Sequence, residues 1–283
     1  MIIKCAKSAG FCFGVKRAVD TVYEEIKRAN GQNVYTYGPI IHNEEVIRDM
    51  QKKGVVVIRN MEELNDITEG IIIIRSHGVG KHIYDKLNEK GMCIVDATCP
   101  FVKKIHTIVQ EQWAQGRSIV IIGNKEHPEV VGIEAWSGAG AIVVDTKELA
   151  EAFESENKKL CIVAQTTFNY KKFEELVDII RKKEYDIIVL NTICSATKSR
   201  QGEAKRIAGE SEAMLVIGDK RSSNTQKLFE ICKNACKATY YIQTLDDLDL
   251  NQLSSAKTVG ITAGASTPNT IIEEVQKNVR INF

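Results

Sequence analysis

Short β-branched runs alternating with stretches of helical period constrain this chain more than any other feature of its sequence. Runs at 55–58, 71–74, 94–95, 118–122, 141–144, 160–164, 186–190, 214–217 and 258–262 are apolar and lack the alternation of a half-exposed strand, so they read as buried parallel strands. Between them lie amphipathic patterns such as 16–29, 44–53, 101–115, 170–183, 199–209 and 225–237. A β-α-β-α order throughout implies the α/β class with mostly parallel sheets.

Strand-like runs repeatedly end in a polar turn that opens a helix: R-S-H-G-V, G-N-K-E-H-P-E, G-D-K-R-S-S-N and T-A-G-A-S-T-P. In an open α/β sheet, ligands bind beyond the carboxyl ends of the strands, where helix N-termini present backbone N–H groups to anions. These turns are the candidate binding positions.

Three cysteines occupy comparable points: Cys12 in G-F-C-F-G-V, Cys99 in D-A-T-C-P and Cys194 in N-T-I-C-S-A-T. Their neighbours Gly10, Gly14, Pro100, Ser195 and Thr197 are residues that expose a backbone turn rather than bury a side chain. The positions divide the chain into comparable lengths, which implies three related α/β units around a centre. The expected limits are 14–98, 99–193 and 194–283, with 1–13 an N-terminal segment that carries the first cysteine and packs with the third unit. Three thiolates from distant loops suit three irons of a 4Fe–4S cluster and leave the fourth iron open to a substrate oxygen.

Composition narrows the classes. Lys plus Arg (38) balances Asp plus Glu (37), so no global field attracts nucleic acid or anionic lipid, and an anion must be caught locally. No stretch approaches the roughly 18 apolar residues of a membrane span, and the expected location is cytoplasmic. All eight cysteines are then expected to be reduced, and the absence of a C-x-x-C pair argues against a zinc ribbon or thioredoxin-like site. Cys5, Cys93 and Cys161 read as small hydrophobes in strands, while Cys232 and Cys236, at i,i+4 on one helix, offer a candidate metal pair.

Three histidines fall in turns, His42 in Y-G-P-I-I-H-N, His77 in R-S-H-G-V and His127 in K-E-H-P-E, unlike His82 and His106, which lie in helical patterns. Imidazoles there suit either zinc or a phosphate. Ser222, Ser223 and Asn224, with Ser266, supply hydroxyl and amide donors at helix starts, which fits a phosphate site as well as ordinary capping. Glu129, two residues after His127, would have its pKa raised beside an anion and a metal and could then deliver a proton near neutral pH. Thr166 in A-Q-T-T-F could extend a proton path. Neither a Walker A motif nor a dinucleotide fingerprint is present.

Together these residues resemble the LytB/IspH family of 4-hydroxy-3-methylbut-2-enyl diphosphate reductases. The motifs that carry the likeness are G-F-C-F-G-V-K-R-A-V, Y-G-P-I-I-H-N, S-H-G-V, D-A-T-C-P-F-V-K-K-I-H, E-H-P-E-V-V-G, Q-T-T, I-C-S-A-T-K-S-R-Q, S-S-N-T-Q-K-L and G-A-S-T-P, in that order. Thr225 and Lys227 depart from the family's S-S-N-S-x-R-L while keeping hydroxyl and charge. The resemblance implies a trefoil of three pseudo-symmetric α/β domains around one 4Fe–4S cluster held by Cys12, Cys99 and Cys194. It also implies a diphosphate substrate bound by His42, His77, His127, Ser222, Ser223, Asn224 and Ser266, with Glu129 the proton donor and Thr166 on the proton path or the substrate. The implied reaction is two-electron reductive dehydroxylation to isopentenyl and dimethylallyl diphosphate, the last step of the non-mevalonate isoprenoid pathway. Ferredoxin or flavodoxin is the expected electron donor, and a monomer is expected, with neither nucleic acid nor membrane as partner.

Two alternatives come from other classes. An aconitase-like hydro-lyase would also use an open iron, but its carboxylate substrates call for arginines where this chain offers His, Ser and Asn. A non-enzymatic iron–sulfur sensor would need a basic patch or helix-turn-helix, and neither is evident.

Overall fold

A computed structural model describes residues 1–138 and 140–283. Its strands are β1 (Ile2–Cys5), β2 (Val34–Tyr37), β3 (Val55–Ile58), β4 (Ile71–Ile74), β5 (Cys93–Asp96), β6 (Ser118–Ile122), β7 (Ile142–Val144), β8 (Lys159–Ala164), β9 (Asp186–Val189), β10 (Ala213–Ile217), β11 (Thr239–Ile242) and β12 (Thr258–Ala263). The helices are α1 (Phe13–Arg28), α2 (Glu44–Lys52), α3 (Met61–Asn65), α4 (Lys81–Glu89), α5 (Pro100–Ala114), α6 (Pro128–Trp136), α7 (Lys147–Glu151), α8 (Tyr170–Arg181), α9 (Ser195–Gly209), α10 (Ser223–Ala235) and α11 (Asn269–Asn282). Among the described residues, no helix is long and apolar enough to cross a membrane.

The strands form three four-stranded sheets, parallel throughout. All three share one order. Strands β2 to β5 lie as second-first-third-fourth, β6 to β9 repeat that arrangement, and in the last sheet β10, β11 and β12 fill the first three places. The fourth place there goes to β1, with Ile2 opposite Thr258. The α/β class with parallel sheets, read from the alternation of runs, is what the chain adopts.

First and third strands lie at the centre of each sheet and are covered on both faces, and four of them, β4, β6, β8 and β10, carry the long apolar runs: Ile71–Ile74 is buried at every residue. The period-two pattern decides which side chain meets which layer. In the middle sheet Val120, Ile122, Leu160 and Ile162 cluster with Leu176, Val177 and Ile180 of α8. Ile119, Ile121, Cys161 and Val163 cluster instead with Ile105 and Val109 of α5 and Val130 and Ile133 of α6. Around β10, Leu215 and Ile217 join Val275 and Val279 of α11, whereas Met214 and Val216 join Ile207 of α9 and Leu228 of α10.

Three strands were not legible as runs. β1 (I-I-K-C), β2 (V-Y-T-Y) and β11 (T-Y-Y-I) each mix Lys, Thr or Tyr into a four-residue segment. By proximity the chain gathers into two compact units. One comprises Met1–Lys16, His42–Arg48 and Ser195–Phe283 and holds the β1-containing sheet; the other comprises Arg17–Ile41 and Asp49–Cys194 and holds the other two sheets.

Ile162 is fully buried at the centre of the middle sheet. Ile162→Ala should cost about 3 kcal/mol of stability in urea titrations, because the sheet is covered on both sides and cannot collapse around the cavity. A loss under about 1 kcal/mol would contradict that packing.

Candidate functional site

Second-first-third-fourth order reverses the direction of strand addition between the first and third strands, so their carboxyl ends flank the crevice that open α/β sheets use for ligands. The candidate residues follow this rule sheet by sheet. Beyond the first strands come His42 after β2, His127 and Glu129 after β6, and Ser222, Ser223 and Asn224 after β10. Beyond the third strands come His77 after β4, Thr166 after β8 and Ser266 after β12. Beyond the fourth strands come Cys99 after β5, Cys194 after β9 and Cys12 after β1.

Each of these cysteines is also the residue immediately before a helix: α5 begins at Pro100, α9 at Ser195 and α1 at Phe13. All three cysteines are outside any disulfide and half-buried. A thiolate at a helix N-terminus meets the positive end of the helix dipole and unpaired N–H groups. Three reduced thiols, each just before a helix, have the chemistry that a metal or an iron–sulfur cluster takes.

Within the unit formed by Arg17–Ile41 and Asp49–Cys194, Glu129 is the central acid. Pro128 starts α6 at the position where its missing N–H is harmless, and the His127 Nδ1 accepts the Glu129 N–H at 3.2 Å, capping the helix. Because Nδ1 accepts, a neutral His127 ring carries its proton on Nε2 and presents a donor there. Its ring meets that of His77 edge-on at 5.4 Å between centroids. Glu129 itself is 2% exposed and bridges to Thr166, whose N–H donates to Oε1 at 2.6 Å and whose Oγ1–H donates to Oε2 at 2.7 Å. Burial pushes the Glu129 carboxyl up to about 7, and the two Thr166 bonds pull against that rise. The upward direction expected from an adjacent anion is thus already produced by desolvation. Thr166 then hands its carbonyl to the Cys194 N–H at 3.1 Å, tying the acid to a cysteine loop.

Cys99 has a comparable support. Asp96 accepts from the Thr98 N–H at 2.9 Å, from Tyr84 Oη at 2.9 Å and from Lys103 Nζ at 2.7 Å, while the Cys99 N–H bonds to the Ser76 carbonyl at 2.9 Å. Lys103 and its hydrogen bond hold the Asp96 carboxyl below its ordinary pKa despite half-burial, so it stays anionic.

In the other unit, Ser222 caps α10: its Oγ accepts the Thr225 N–H at 3.3 Å, which leaves the hydroxyl hydrogen able to donate. Asn224, 3% exposed, has its Oδ1 occupied by the Ala265 N–H at 3.0 Å, and its Nδ2 is buried without a partner among the described residues. An orphaned buried amide donor costs free energy unless an acceptor meets it, which is what a phosphate oxygen would supply. Ser266 differs. Its Oγ–H donates to the His42 carbonyl at 2.8 Å, so as a phosphate donor it would have to release that carbonyl. The turn bearing His42 is further held by Asp219, which is almost fully buried and accepts the Glu44 N–H at 3.0 Å and the Arg221 Nη2 at 2.9 Å.

Of the remaining cysteines, Cys161, Cys232 and Cys236 are buried, Cys5 is half-buried, and Cys93, expected to pack as a small hydrophobe, is exposed. Cys236 lies past the last residue of α10 with extended backbone, so it does not share a helix face with Cys232. Both thiols donate to backbone carbonyls, Cys232 to Ala204 and Cys236 to Ser211, and burial pushes Cys232 up to about 12. Both sulfurs lie in the apolar cluster with Ala204, Ile207, Met214 and Val216, as packing cysteines do. Cys161 is likewise buried between sheet and helices and pushed up to about 11. Of the residues that sequence reasoning passed over, Arg17, Asp96, Asp219 and Arg200 hold the loops on which the candidates sit. Asp96 and Arg17 lie in the motifs D-A-T-C-P and G-V-K-R-A-V, a signal of position but not of role.

Because the folded Glu129 pKa lies above the ordinary value of 4.5, its stabilising contribution is complete below about pH 4.5 and is lost as pH rises through about 7. Wild type should therefore lose about 2 to 3 kcal/mol relative to Glu129→Gln between pH 5 and pH 8 in urea titrations. A difference between the two proteins that does not change with pH would contradict a buried, titrating Glu129.

Comparison with known proteins now bears on this geometry. The family model described as LytB protein matches residues 3–280. A 4-hydroxy-3-methylbut-2-enyl diphosphate reductase from Thermoanaerobacter sp. (strain X514) is 48% identical, over 99% of this chain and 97% of the relative. The enzyme of the same name from Clostridioides difficile (strain 630) is 47% identical, over 97% and 98%. A solved structure of (E)-4-hydroxy-3-methyl-but-2-enyl diphosphate reductase, described as the terminal enzyme of the non-mevalonate pathway, superposes with a TM-score of 0.71 at 40% identity, covering 99% of this chain and all (100%) of that one. The structure of the E-1-hydroxy-2-methyl-but-2-enyl-4-diphosphate reductase from Plasmodium falciparum gives 0.90 at 29%, covering 99% and 87%. A match over nearly every residue, together with three parallel sheets that bring the motif residues to equivalent strand ends, means that this chain belongs to the LytB family.

Proposed function

We propose that this protein is a reductase of 4-hydroxy-3-methylbut-2-enyl diphosphate, removing the allylic hydroxyl as water and yielding isopentenyl and dimethylallyl diphosphate. Family membership and the names of full-length relatives support the reaction. The observation that carries the residue assignment is Glu129: a fully buried carboxyl whose pKa of about 7 keeps about half of it protonated at neutrality. The reaction balances when the C–O bond breaks, two electrons and two protons enter, one water leaves and one C–H bond forms. Glu129 holds the proton that converts the departing hydroxyl into water, and Thr166, bonded to both carboxyl oxygens, fixes which way it points. Protonation at either end of the allylic system accounts for two products.

Cys12, Cys99 and Cys194 would hold one 4Fe–4S cluster with an open fourth iron, a role supported by their equivalent places at fourth-strand exits and by the helix that follows each. When bound, such a cluster supplies single-electron transfers and a Lewis-acidic iron for the hydroxyl. His42, His77, His127, Ser222, Ser223, Asn224 and Ser266 would bind the diphosphate with neutral or singly charged donors, which suits a chain of net charge +1. The unpartnered Asn224 Nδ2 would give an N–H to an anion oxygen, and the names of the full-length relatives favour a diphosphate over the dicarboxylate of a hydro-lyase. Ferredoxin or flavodoxin would deliver the electrons to a cytoplasmic monomer. The repeated strand order supports three structural repeats with limits at 14–98, 99–193 and 194–283, residues 1–13 belonging with the last.

Glu129→Gln should keep iron content and diphosphate affinity while turnover falls by about a thousandfold, since only the acid is removed. Anaerobically purified Cys194→Ser should lose iron and the brown colour of the wild type. Full turnover in the first variant would remove Glu129 from its role, and unchanged iron in the second would remove Cys194 as a ligand.

A further inference from the structure

Two of the cysteine loops are gripped in the same manner by an arginine. Arg17 of α1 donates from Nη2 to the Asp96 carbonyl at 3.1 Å and from Nη1 to the Thr98 carbonyl at 2.9 Å, one residue short of Cys99. Arg200 of α9 donates from Nε to the Ser8 carbonyl and from Nη2 to the Gly10 carbonyl, both at 2.7 Å, two residues short of Cys12. In each case a planar fork spans two carbonyls whose residues are two apart. A lysine ammonium, a point charge on a flexible stem, cannot reproduce that span. Each arginine also lies on a helix that begins just after another of the cysteines, α1 after Cys12 and α9 after Cys194.

Arg200 reaches further. It is 4% exposed, and its Nη1 lies 3.5 Å from the Asn224 Oδ1, the oxygen that also accepts the Ala265 N–H. The Ala265 carbonyl in turn accepts the Cys12 N–H at 3.2 Å. Arg200, Gly10, Cys12, Ala265 and Asn224 therefore close a circuit of hydrogen bonds and short chain segments, and the circuit leaves the Asn224 Nδ2 buried with no partner among the described residues. Glu203, one turn along α9, takes the N–H groups of Lys7 and Ser8, so the loop is held by both its donors and its acceptors. Gly10 fits because its backbone is left-handed, with φ at 95°, and any Cβ there would collide with the Asn269 side chain.

We propose that Arg17 and Arg200 are positioning residues that set the Cys99 and Cys12 loops for cluster binding, and that Arg200 additionally orients Asn224 toward the diphosphate. The proposal rests on the function given above and separates the two arginines by what each touches. Arg17→Lys and Arg200→Lys keep the charge and lose the fork. Both should bind iron about tenfold more weakly, or worse, during anaerobic reconstitution, as loss of a ligand-orienting partner does. In cluster-free protein, inorganic diphosphate should bind about tenfold more weakly to Arg200→Lys by calorimetry and within about twofold of wild type to Arg17→Lys. General loosening of the fold would not produce that split.

Wild-type iron retention in either variant overturns the assignment of that arginine, and equal diphosphate losses in both overturn the Arg200–Asn224 link. Should a variant not fold, amide exchange of the unmodified cluster-free chain decides: diphosphate should slow exchange in residues 8–12 and leave 96–99 unchanged, and no slowing in 8–12 overturns the link. A wild type that takes up no iron or binds no diphosphate sinks the proposed function itself and the clamps with it. A competent wild type with indifferent variants sinks the clamps alone.

Discussion

Parallel pairing of a first and a third strand at the centre of each sheet is the interaction on which the rest depends. Because neighbouring central strands run the same way, all their carboxyl ends emerge on one edge, and the reversal of strand addition opens a crevice between those two ends. The loops leaving that edge lead straight into helices, whose first N–H groups have no partner within the helix. Such an edge attracts oxygen anions and thiolates without any excess of basic residues, which is how a chain with 38 cations and 37 acids can bind a diphosphate. Burial of β4, β6, β8, β10 and β12 on both faces fixes the strand ends to within the tolerance of a packed core.

What distinguishes the exits is chemistry. First and third strands release His, Ser, Asn, Thr and Glu, and the fourth strands release cysteine. Middle-sheet exits carry the acid: Glu129 after the first strand and Thr166 after the third are joined by two hydrogen bonds, and Thr166 also meets the Cys194 backbone. A carboxyl so deeply buried would be costly as an anion, so it is poised as an acid, and Thr166 offsets only part of the cost. The exit of β10 also carries a buried acid, Asp219, but its bonds to Arg221 hold that carboxyl below its ordinary pKa despite burial; the candidate pair there is Ser222 to Asn224 and Ser266, donors suited to an anion.

Most of the fold, and the placing of the candidate residues at strand ends and helix starts, could be read in the sequence, because both leave local marks. Unbroken runs such as Ile71–Ile74 and 118–122 can only be covered strands, and a turn such as H-P-E-V-V-G announces a helix start through its proline. β1 escaped because an edge strand keeps a polar side chain on its open side, as Lys4 does at the surface ion pair with Glu210, whereas β2 and β11 bury Thr36 and Thr239 and so interrupt the apolar run from inside. The Cys232–Cys236 spacing misled for a different reason. Helix period assumes that the helix continues, and α10 stops one residue before Cys236. Support by Arg17, Arg200, Asp96 and Asp219 left no mark at all, since a side chain that bonds to distant backbone carbonyls or N–H groups has no signature in its own neighbours.

The last place in the third sheet has a consequence for how the site assembles. Strands β6 to β9 follow one another along the chain, so the sheet that carries Glu129 and Thr166 closes only short loops as it forms. Strand β1 must instead find β12, with Ile2 opposite Thr258 and Cys5 opposite Ile261, a pairing across almost the whole sequence. Contacts of such separation are entropically costly to reach and form late. The Cys12 loop takes its shape from partners that exist only after this pairing: the Ala265 carbonyl just past β12, and the α9 side chains of Arg200 and Glu203. The Glu129–Thr166 pair can therefore be in place while the Cys12 loop is still unformed, so an ordered Cys12 loop reports that the third sheet has closed.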